Sequence, residues 1–368
     1  MIPPMRTIIA LLIVIAACAS IPSHAAATAT PRCQSPKTPG THEVAAALDQ
    51  LRLLLSDKQR ADLNRPLSDA TAIQWSNLPI GIVPRSGLRL GDLNDKQAAA
   101  ARAVFVAALS PCGLTLLDQV RLADDYLVPF DQRPIGWGAG NYYLSVLGNS
   151  SAKAPWMLQI GGHHLAYNFT FNGHEAGATP LFAGSEPIRF EVRGTQVEPL
   201  EAQSKAMSRV ATAISPQAKA RLSGTFTDVV KGVVVTDVPG QMPTGGTDTG
   251  FPHSYPAGET DRGIPVRTLP PDQRELVRAA IASFAQLPDS AISTSLLAGY
   301  LAPAALDQTY VGFAGSPDLG AQGSYVRIDG PRVWIELIVQ RAIAQPDQLH
   351  YHSLWRDKQS DYGGEVRR

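Results

Sequence analysis

Two histidines near the C-terminus have a spacing that suits metal binding. His350 and His352 are two residues apart in the segment 349–355, whose residues predict a β-strand. Alternate residues of a strand project from the same face, so both imidazoles are expected to point the same way. Paired imidazoles from one strand are suitable ligands for a transition metal. The spacing therefore predicts two ligands of a divalent metal ion.

Two other segments supply the remaining candidate ligands. Glu336 lies in the alternating segment 333–339, where a carboxylate is costly unless a cation or hydrogen-bond donors receive it. Residues 161–171 also alternate, which predicts a strand with His164 on its polar face and His163 on its core face. The predicted ligands are three imidazoles and one carboxylate, from His164, His350, His352 and Glu336. Zinc, iron, manganese or copper would suit this set, and the sequence does not choose among them.

Such a site predicts metal-assisted hydrolysis, because a bound ion lowers the pKa of its water ligand. Asp357 or Glu186 is expected to carry the proton of that water. Neighbouring polar and aromatic side chains are predicted to contact a small-molecule or polymer substrate, namely Asn168, Arg356 and Trp334. We therefore predict an exported divalent-metal-dependent enzyme, with a non-catalytic exported ligand- or metal-binding protein as the alternative.

Two interpretations without a metal remain open from the sequence. In the first, His350 and His352 lie exposed on an edge strand, and Glu336 forms an ion pair with Arg327 or Arg332. In the second, the same side chains line a metal-free catalytic or binding pocket. The sequence has no Gly-x-Ser-x-Gly, phosphate-binding loop or His-Glu-x-x-His motif that would favour a better-known chemistry.

The two halves of the chain resemble each other. Matching residues follow in the same order at drifting offsets: Gly87 and Gly263 are 176 positions apart, Tyr143 and Tyr310 are 167 apart, and Ile160 and Ile328 are 168 apart. Preserved order with drifting offsets is typical of a duplication with short insertions. We predict an α+β fold in which two helix–helix–strands halves, about 43–195 and 196–368, pack around a pseudo-twofold axis into one composite domain.

The spacing of apolar residues predicts where the helices of each half lie. Helices are predicted over 43–63 and 97–109 in the first half, and over 201–222 and 273–284 in the second half.

The N-terminus is typical of an export signal. Arg6 precedes an apolar run from Thr7 to Ala17, and we predict a signal peptide over residues 1–26. A transmembrane helix needs about 20 apolar residues, so no permanent span is expected here. Ordinary cleavage and acylation at Cys18, which would give a lipid anchor, both remain open. Residues 27–42 are predicted to be a disordered linker, and the protein is expected in the periplasm or outside the cell, with or without that anchor.

The cysteine content predicts one disulfide bond. Cys33 and Cys112 remain once the signal is removed, and an oxidising compartment favours a disulfide between them.

The chain has 32 basic and 32 acidic residues. This balance gives no basic surface of the kind that binds nucleic acid, so none is predicted as a partner.

Several short strings together resemble a known family. They are Trp75–Pro79, Arg85–Leu88, Leu109-Ser110, Trp156, Gly162–His164, Pro180–Pro187, Arg327–Pro331, Trp334–Glu336, His350–His352, Arg356-Asp357 and Asp361–Gly363. This set is similar to the uncharacterised bacterial and fungal family called domain of unknown function, number 3500. The resemblance covers about residues 43 to 363. It implies frequent export, and it implies that the Gly-His-His, Ile-Glu and His-x-His strings belong to the family pattern, but it supplies no reaction.

Overall fold

The computed structural model describes residues 41–130, 135–150, 154–229 and 261–367, together with Cys33 and Tyr255. The chain divides into residues 1–32 and 33–368, and every described element belongs to the second unit. The predicted signal peptide and most of the predicted linker lie outside the described residues.

Helices make up one part of the described unit. They are α1 (Thr41–Leu54), α2 (Asp57–Leu63), α3 (Asp69–Ala72), α4 (Asp95–Ala108), α5 (Pro111–Leu127), α6 (Glu201–Ile214), α7 (Pro271–Ala285), α8 (Ser290–Tyr300) and α9 (Pro303–Asp307). None of the described helices is long and apolar enough to cross a lipid bilayer.

Strands make up the other part. They are β1 (Asn64–Arg65), β2 (Leu88–Arg89), β3 (Tyr143–Leu147), β4 (Trp156–Gly162), β5 (Leu165–Asn172), β6 (Glu175–Gly177), β7 (Leu181–Ser185), β8 (Phe190–Val192), β9 (Thr195–Val197), β10 (Ile264–Pro265), β11 (Tyr310–Ala314), β12 (Tyr325–Asp329), β13 (Val333–Arg341) and β14 (Leu349–Asp357). The predicted α+β class is therefore confirmed.

Most strands join one mixed sheet of 12 strands. Its order is β1-β3-β4-β5-β7-β14-β13-β12-β11-β10, with β2 beside β3 and β6 beside β5. The β1–β3 pair is parallel and the other pairs are antiparallel. The central pair, β7 with β14, joins the strands of the first half of the chain to those of the second.

The sheet buries different residues on its two faces. On one face, Tyr167, Phe169 and Ile335 join a large apolar core with helix residues such as Val104 and Phe284. The other face carries a smaller core that includes Phe182, Ile338 and Leu354. Successive strand residues alternate between these cores, as the period of a β-strand requires.

Local signals explain the helix bounds. The predicted helix 43–63 divides into α1 and α2, because Ser56 has an extended backbone and caps α2 in a capping box with Gln59. Asn94 and Gln97 form another such box, which starts α4 two residues before the predicted 97. The predicted helix 201–222 ends early, at Ile214.

A disulfide holds the start of the described chain to α5. Cys33 and Cys112, the predicted pair, are joined with their Cα atoms 5.0 Å apart. A cross-link of this kind restricts the unfolded chain and so favours the folded one.

Candidate metal centre

His164 lies in a turn and not on a strand as predicted. The segment 161–171 is divided: Gly162 ends β4, Leu165 opens β5, and these two residues pair across a two-residue connection formed by His163 and His164. His164 has a φ of 58°, in the left-handed region. That conformation costs a non-glycine residue roughly 1–2 kcal/mol. The predicted position of His164 four residues before Asn168 on one strand is therefore wrong.

Close packing fixes the orientation of His164. Its backbone N–H donates to the Asn77 carbonyl at 3.1 Å, and its own carbonyl accepts from Gly184 N–H at 2.7 Å. Gly184 lies directly against the ring, since a Cβ added there would be 2.8 Å from His164 Cδ2. Glycine at position 184 therefore leaves the space that the imidazole needs.

His350 and His352 lie on β14 with their side chains on the same face, as predicted. β14 pairs with β13 on one side and with β7 on the other, so it is central in the sheet. Only 3% of His350 and 6% of His352 is exposed. The interpretation in which these histidines lie on an exposed edge strand is therefore wrong.

The three imidazoles form a cluster. One nitrogen from each of His164, His350 and His352 lies within 4.8 Å of the corresponding atoms of the other two, and among the described residues this is the group that could hold a metal ion. The ring centroid of His164 is 5.6 Å from that of His350 and 5.2 Å from that of His352. In a tetrahedral zinc site, ligand nitrogens about 2.0 Å from the ion are about 3.3 Å apart. The nitrogens of the cluster, which lie within 4.8 Å of one another, would have to come closer together to reach that geometry.

Burial favours the neutral form of two of the three imidazoles, His164 and His350. It lowers the pKa of His164 well below its usual value, and the neighbouring histidines lower it further. The pKa of His350 is lowered in the same way, by burial first and by His352 second, against a raising hydrogen bond with the Arg341 backbone. Desolvation disfavours the charged imidazolium. Neutral imidazole is also the form that binds a metal.

Two ring nitrogens in the cluster are buried without a partner. His350 Nδ1 and His352 Nε2 lack a hydrogen bond to any described atom. The other nitrogen of His352, Nδ1, lies 2.9 Å from Asp228 Oδ1. In the neutral tautomer of His352 that donates from Nδ1 to this carboxylate, the lone pair is on Nε2. A buried lone pair of this kind fits a metal ion.

His163 adjoins the cluster but is not one of its three histidines. Its Nδ1 is 2.5 Å from Asp124 Oδ1 on α5, and its ring stacks on His164 with centroids 3.7 Å apart. Burial raises the pKa of Asp124, and His163 opposes that shift. His163, which the sequence placed on the core face, therefore has a hydrogen-bond partner in the interior.

Glu336 is on the face of the sheet that carries His352 but stands outside the cluster. It pairs with Leu354 across β13 and β14, two residues along from the pair that includes His352. Its two oxygens accept from Tyr325 Oη at 2.5 Å and from Trp334 Nε1 at 2.7 Å. This buried carboxylate is therefore hydrogen-bonded to Tyr325 and Trp334 and is not part of the histidine cluster.

The two predicted proton carriers are held in structural contacts. Glu186 is buried, and its Oε1 accepts from the backbone N–H groups of Ile343 and Ala344, each at 2.5 Å, in the β13–β14 connection. Asp357 has the opposite parity to His350 and His352 on β14, so it lies on the other face of the sheet.

The contacts of Asp357 agree with that position. Its Oδ2 accepts from Tyr300 Oη at 2.9 Å and from Arg332 at 2.7 Å, and Tyr300 belongs to α8. Arg332, one of the two predicted partners of Glu336, therefore pairs with Asp357. Asp357 thus lies on the helix-covered face of the sheet, opposite to the face that carries His350 and His352.

The three predicted substrate contacts also have partners within the fold. The Asn168 amide accepts from Gln159 at 2.9 Å and donates to the Pro180 carbonyl at 2.8 Å. Arg356 is fully buried and pairs with Asp361 at 2.7 Å. Trp334 is 1% exposed, and its indole N–H is bound to Glu336. All three side chains therefore have hydrogen-bond or ion-pair partners within the fold, and their contact with a substrate stays a prediction.

Sequence reasoning missed two residues of the centre. Asp228 follows α6 in a segment without periodicity, and nothing in its neighbours marks it as a partner of a histidine. Gly184 is one of 31 glycines, and its role depends on a contact between strands that are distant in sequence.

Comparison with known proteins agrees with the resemblance seen in the sequence. The chain matches the family described as "Protein of unknown function (DUF3500)" over residues 38–364. The protein belongs to this family. No curated protein and no solved structure matches it.

Proposed function

We propose that the protein binds one divalent transition metal ion through His164, His350 and His352 and uses it in hydrolysis. The observation that carries the proposal is that one nitrogen from each of the three rings lies within 4.8 Å of the other two, in a cluster where His350 Nδ1 and His352 Nε2 are buried without a described partner. Burying such polar atoms without a partner costs free energy, and a metal ion would offset that cost.

The donor set favours zinc among the metals that the sequence allows. The cluster contains three imidazoles and neither a carboxylate nor a thiolate. Imidazole suits zinc, copper and iron, whereas manganese prefers oxygen ligands. Three histidines also leave a fourth position open, which is the arrangement of catalytic zinc sites.

The residues around the cluster would prepare it for that role. Asp228 orients His352 and raises its basicity, and the packing of His164 against Gly184 aims the third ring. A bound zinc ion would supply a Lewis acid and a water of lowered pKa. Because all three ligands are neutral, none of the ion's positive charge is cancelled by them.

A non-catalytic metal-binding protein is the second candidate. It is favoured by a specific observation, which is that Glu186 and Asp357 are both engaged in hydrogen bonds within the fold. The ligands would be the same in this case, and the difference would lie in turnover.

One series of measurements separates these functions. The purified protein is expected to contain close to one equivalent of zinc by elemental analysis, and chelation is expected to lower its melting temperature. His350→Gln is expected to lose the metal, while His174→Gln, a change of an exposed histidine, keeps it. Absence of bound metal in protein reconstituted with zinc would refute both functions. A screen of ester, amide and phosphoester substrates with the zinc-loaded protein then distinguishes the hydrolase from the binder.

We infer further that the two halves of the chain arose by duplication and are related by a pseudo-twofold axis. The strand orders β3-β4-β5-β7 and β11-β12-β13-β14 run inward from opposite edges and meet at β7 and β14. The cross-strand pairs support the inference: Gln159 faces Asn168, and Arg327 faces Glu336, each 168 positions later. An experimental structure in which α4 and α7 fail to superpose together with these strands would refute it.

We also propose that the protein is exported. The apolar run Thr7–Ala17 and the Cys33–Cys112 disulfide support this proposal. Mass spectrometry of the mature protein tests it. A new N-terminus near residue 26, or at an acylated Cys18, is expected, and an intact Met1 would contradict export by this signal.

A further inference from the structure

A cleft near the β2–β3 side of the sheet carries an excess of positive charge. Its volume is about 600 Å³, within the usual range for small-molecule sites. It shares no residue with the histidine cluster. The charged side chains that line it are four cations and two carboxylates: Lys58, Arg65, Arg85, Arg89, Asp62 and Asp92.

Two of the four cations are neutralised locally. Lys58 pairs with Asp62 at 2.6 Å, and Arg89 pairs with Asp92 at 2.5 Å. Both carboxylates of the cleft are used in these pairs. Two guanidinium charges therefore remain in the cleft.

Arg65 and Arg85 hold those charges. Arg65 donates to Gln74 Oε1 at 2.7 Å, which is a neutral acceptor. Arg85 donates to the backbone carbonyls of Ser76, at 2.7 Å, and of Val83 and Leu78. Within the described ranges, neither guanidinium has a carboxylate partner.

Of these two arginines, Arg85 is the one whose surroundings disfavour its charge. Burial lowers its pKa to about 10, so the group is desolvated yet still charged at neutral pH. Three of its five N–H donors reach carbonyls, and two remain. Arg85 is partly buried and has no carboxylate within ion-pair distance in the described ranges, although Asp124 acts on it from further away, and an anion in the cleft would lower the cost of its desolvated charge.

We propose that this cleft binds the phosphoryl group of a small soluble molecule through Arg65 and Arg85. A phosphoryl group has a charge of about −1.5 to −2 at pH 7, which matches the two uncompensated guanidinium groups. The planar fork of arginine fits phosphate oxygens in a bidentate manner. The hydroxyl groups of Ser86 and Tyr143 also line the cleft and supply neutral donors. The remaining volume accommodates the rest of the ligand.

Calorimetric titration with inorganic phosphate tests the proposal, with acetate at equal ionic strength as the comparison. Saturable binding of phosphate, tighter than that of acetate, is expected. Arg65→Gln is expected to weaken phosphate binding about tenfold or more, because a charge-assisted hydrogen bond is lost. Arg65→Lys should restore part of the affinity, since it keeps the charge but loses the fork.

A matched control is available in the first half of the chain. Arg102, whose side chain is 41% exposed, pairs with Asp118 away from the cleft residues, and Arg102→Gln should leave phosphate binding unchanged. Arg65 is partly exposed, so Arg65→Gln should fold, and circular dichroism checks that it does. Absence of saturable phosphate binding, equal affinity for acetate, or full affinity in Arg65→Gln would each overturn the proposal. Because zinc binding is measured separately, failure here leaves the histidine cluster unaffected.

Discussion

His352 Nδ1 lies 2.9 Å from Asp228 Oδ1, while His352 Nε2 is buried with no described partner. One nitrogen of the ring thus contacts a carboxylate, and the ring itself lies beside those of His164 and His350, with centroids 5.2 and 4.8 Å away. This relationship between a carboxylate, a histidine and an open lone pair is the arrangement that metal-binding histidines have in proteins.

Asp228→Asn should weaken zinc binding without unfolding the protein. Loss of the carboxylate removes the group that fixes the tautomer of His352, and changes of this type cost about 10–100-fold in metal affinity. Competition with a chromophoric chelator measures the dissociation constant. Asp118→Asn, at the exposed pair with Arg102, serves as the control and should bind zinc normally. An unchanged dissociation constant in Asp228→Asn would show that Asp228 does not support the ligand.

Gly184→Ala should displace His164. The added Cβ would lie 2.8 Å from His164 Cδ2 and 2.9 Å from the Tyr351 carbonyl oxygen. Overpacking of this kind costs about 1–3 kcal/mol of unfolding free energy, and the shifted ring should also weaken zinc binding. Urea denaturation and zinc titration measure the two effects.

Gly177→Ala is the matched control for that variant. Its Cβ would meet the nearest atom at 3.4 Å, which is ordinary contact, and its backbone does not have a positive φ. The free energy of unfolding and the affinity for zinc should both stay near those of the original protein. If Gly184→Ala binds zinc as tightly as Gly177→Ala, the packing of His164 is not a requirement of the site.

The metal-free protein should lose stability as the pH falls below about 6.5. His164 and His350 have folded pKa values well below the usual one, so between those values and about 6.5 the unfolded chain binds more protons than the folded chain. Each group therefore contributes stability that is present above pH 6.5 and is lost as the pH decreases, by at most about 1.4 kcal/mol per pH unit.

Urea titrations of the apoprotein at several pH values measure this slope. His350→Gln should have a shallower slope than the original protein, because one of the two groups is gone. An identical slope in the variant would mean that His350 titrates normally in the folded state.

Asp357→Asn should lower stability and spare the metal. The carboxylate accepts from Tyr300 and Arg332 on the helix-covered face, and breaking a buried ion pair from one side costs about 3–5 kcal/mol. Because Arg332 keeps some solvent exposure, the effect should fall at the lower end of that range. Zinc stoichiometry should remain at one. Loss of zinc with unchanged stability would place Asp357 at the metal after all.

The sequence predicted the parts of the site that depend on strand alternation. The spacing of His350 and His352 placed both rings on one face, and alternation also put Glu336 on the face of His352. What satisfies Glu336 could not be read from spacing, because Tyr325 reaches it from a neighbouring strand. A buried carboxylate at position 336 needs a cation or hydrogen-bond donors, and the structure places two donors on it, with Arg327 opposite it on the neighbouring strand.

The turn at His163 and His164 could not be predicted from turn residues. Two-residue connections usually contain asparagine, aspartate or glycine at their central positions, whereas two histidines occupy them here. Gly162, which precedes the turn, is required for close packing instead, since a Cβ there would lie 2.7 Å from the Tyr142 ring. The pairing of β7 with β14, which brings Gly184 beside His352, joins distant parts of the chain and leaves no local signal.

Anomalous diffraction from crystals of the zinc-loaded protein tests the central claim most directly. We predict a single strong zinc peak within about 2.0–2.1 Å of one nitrogen from each of His164, His350 and His352. A zinc ion bound at Glu336, a peak elsewhere on the protein, or an empty histidine cluster in crystals grown with excess zinc would contradict the account.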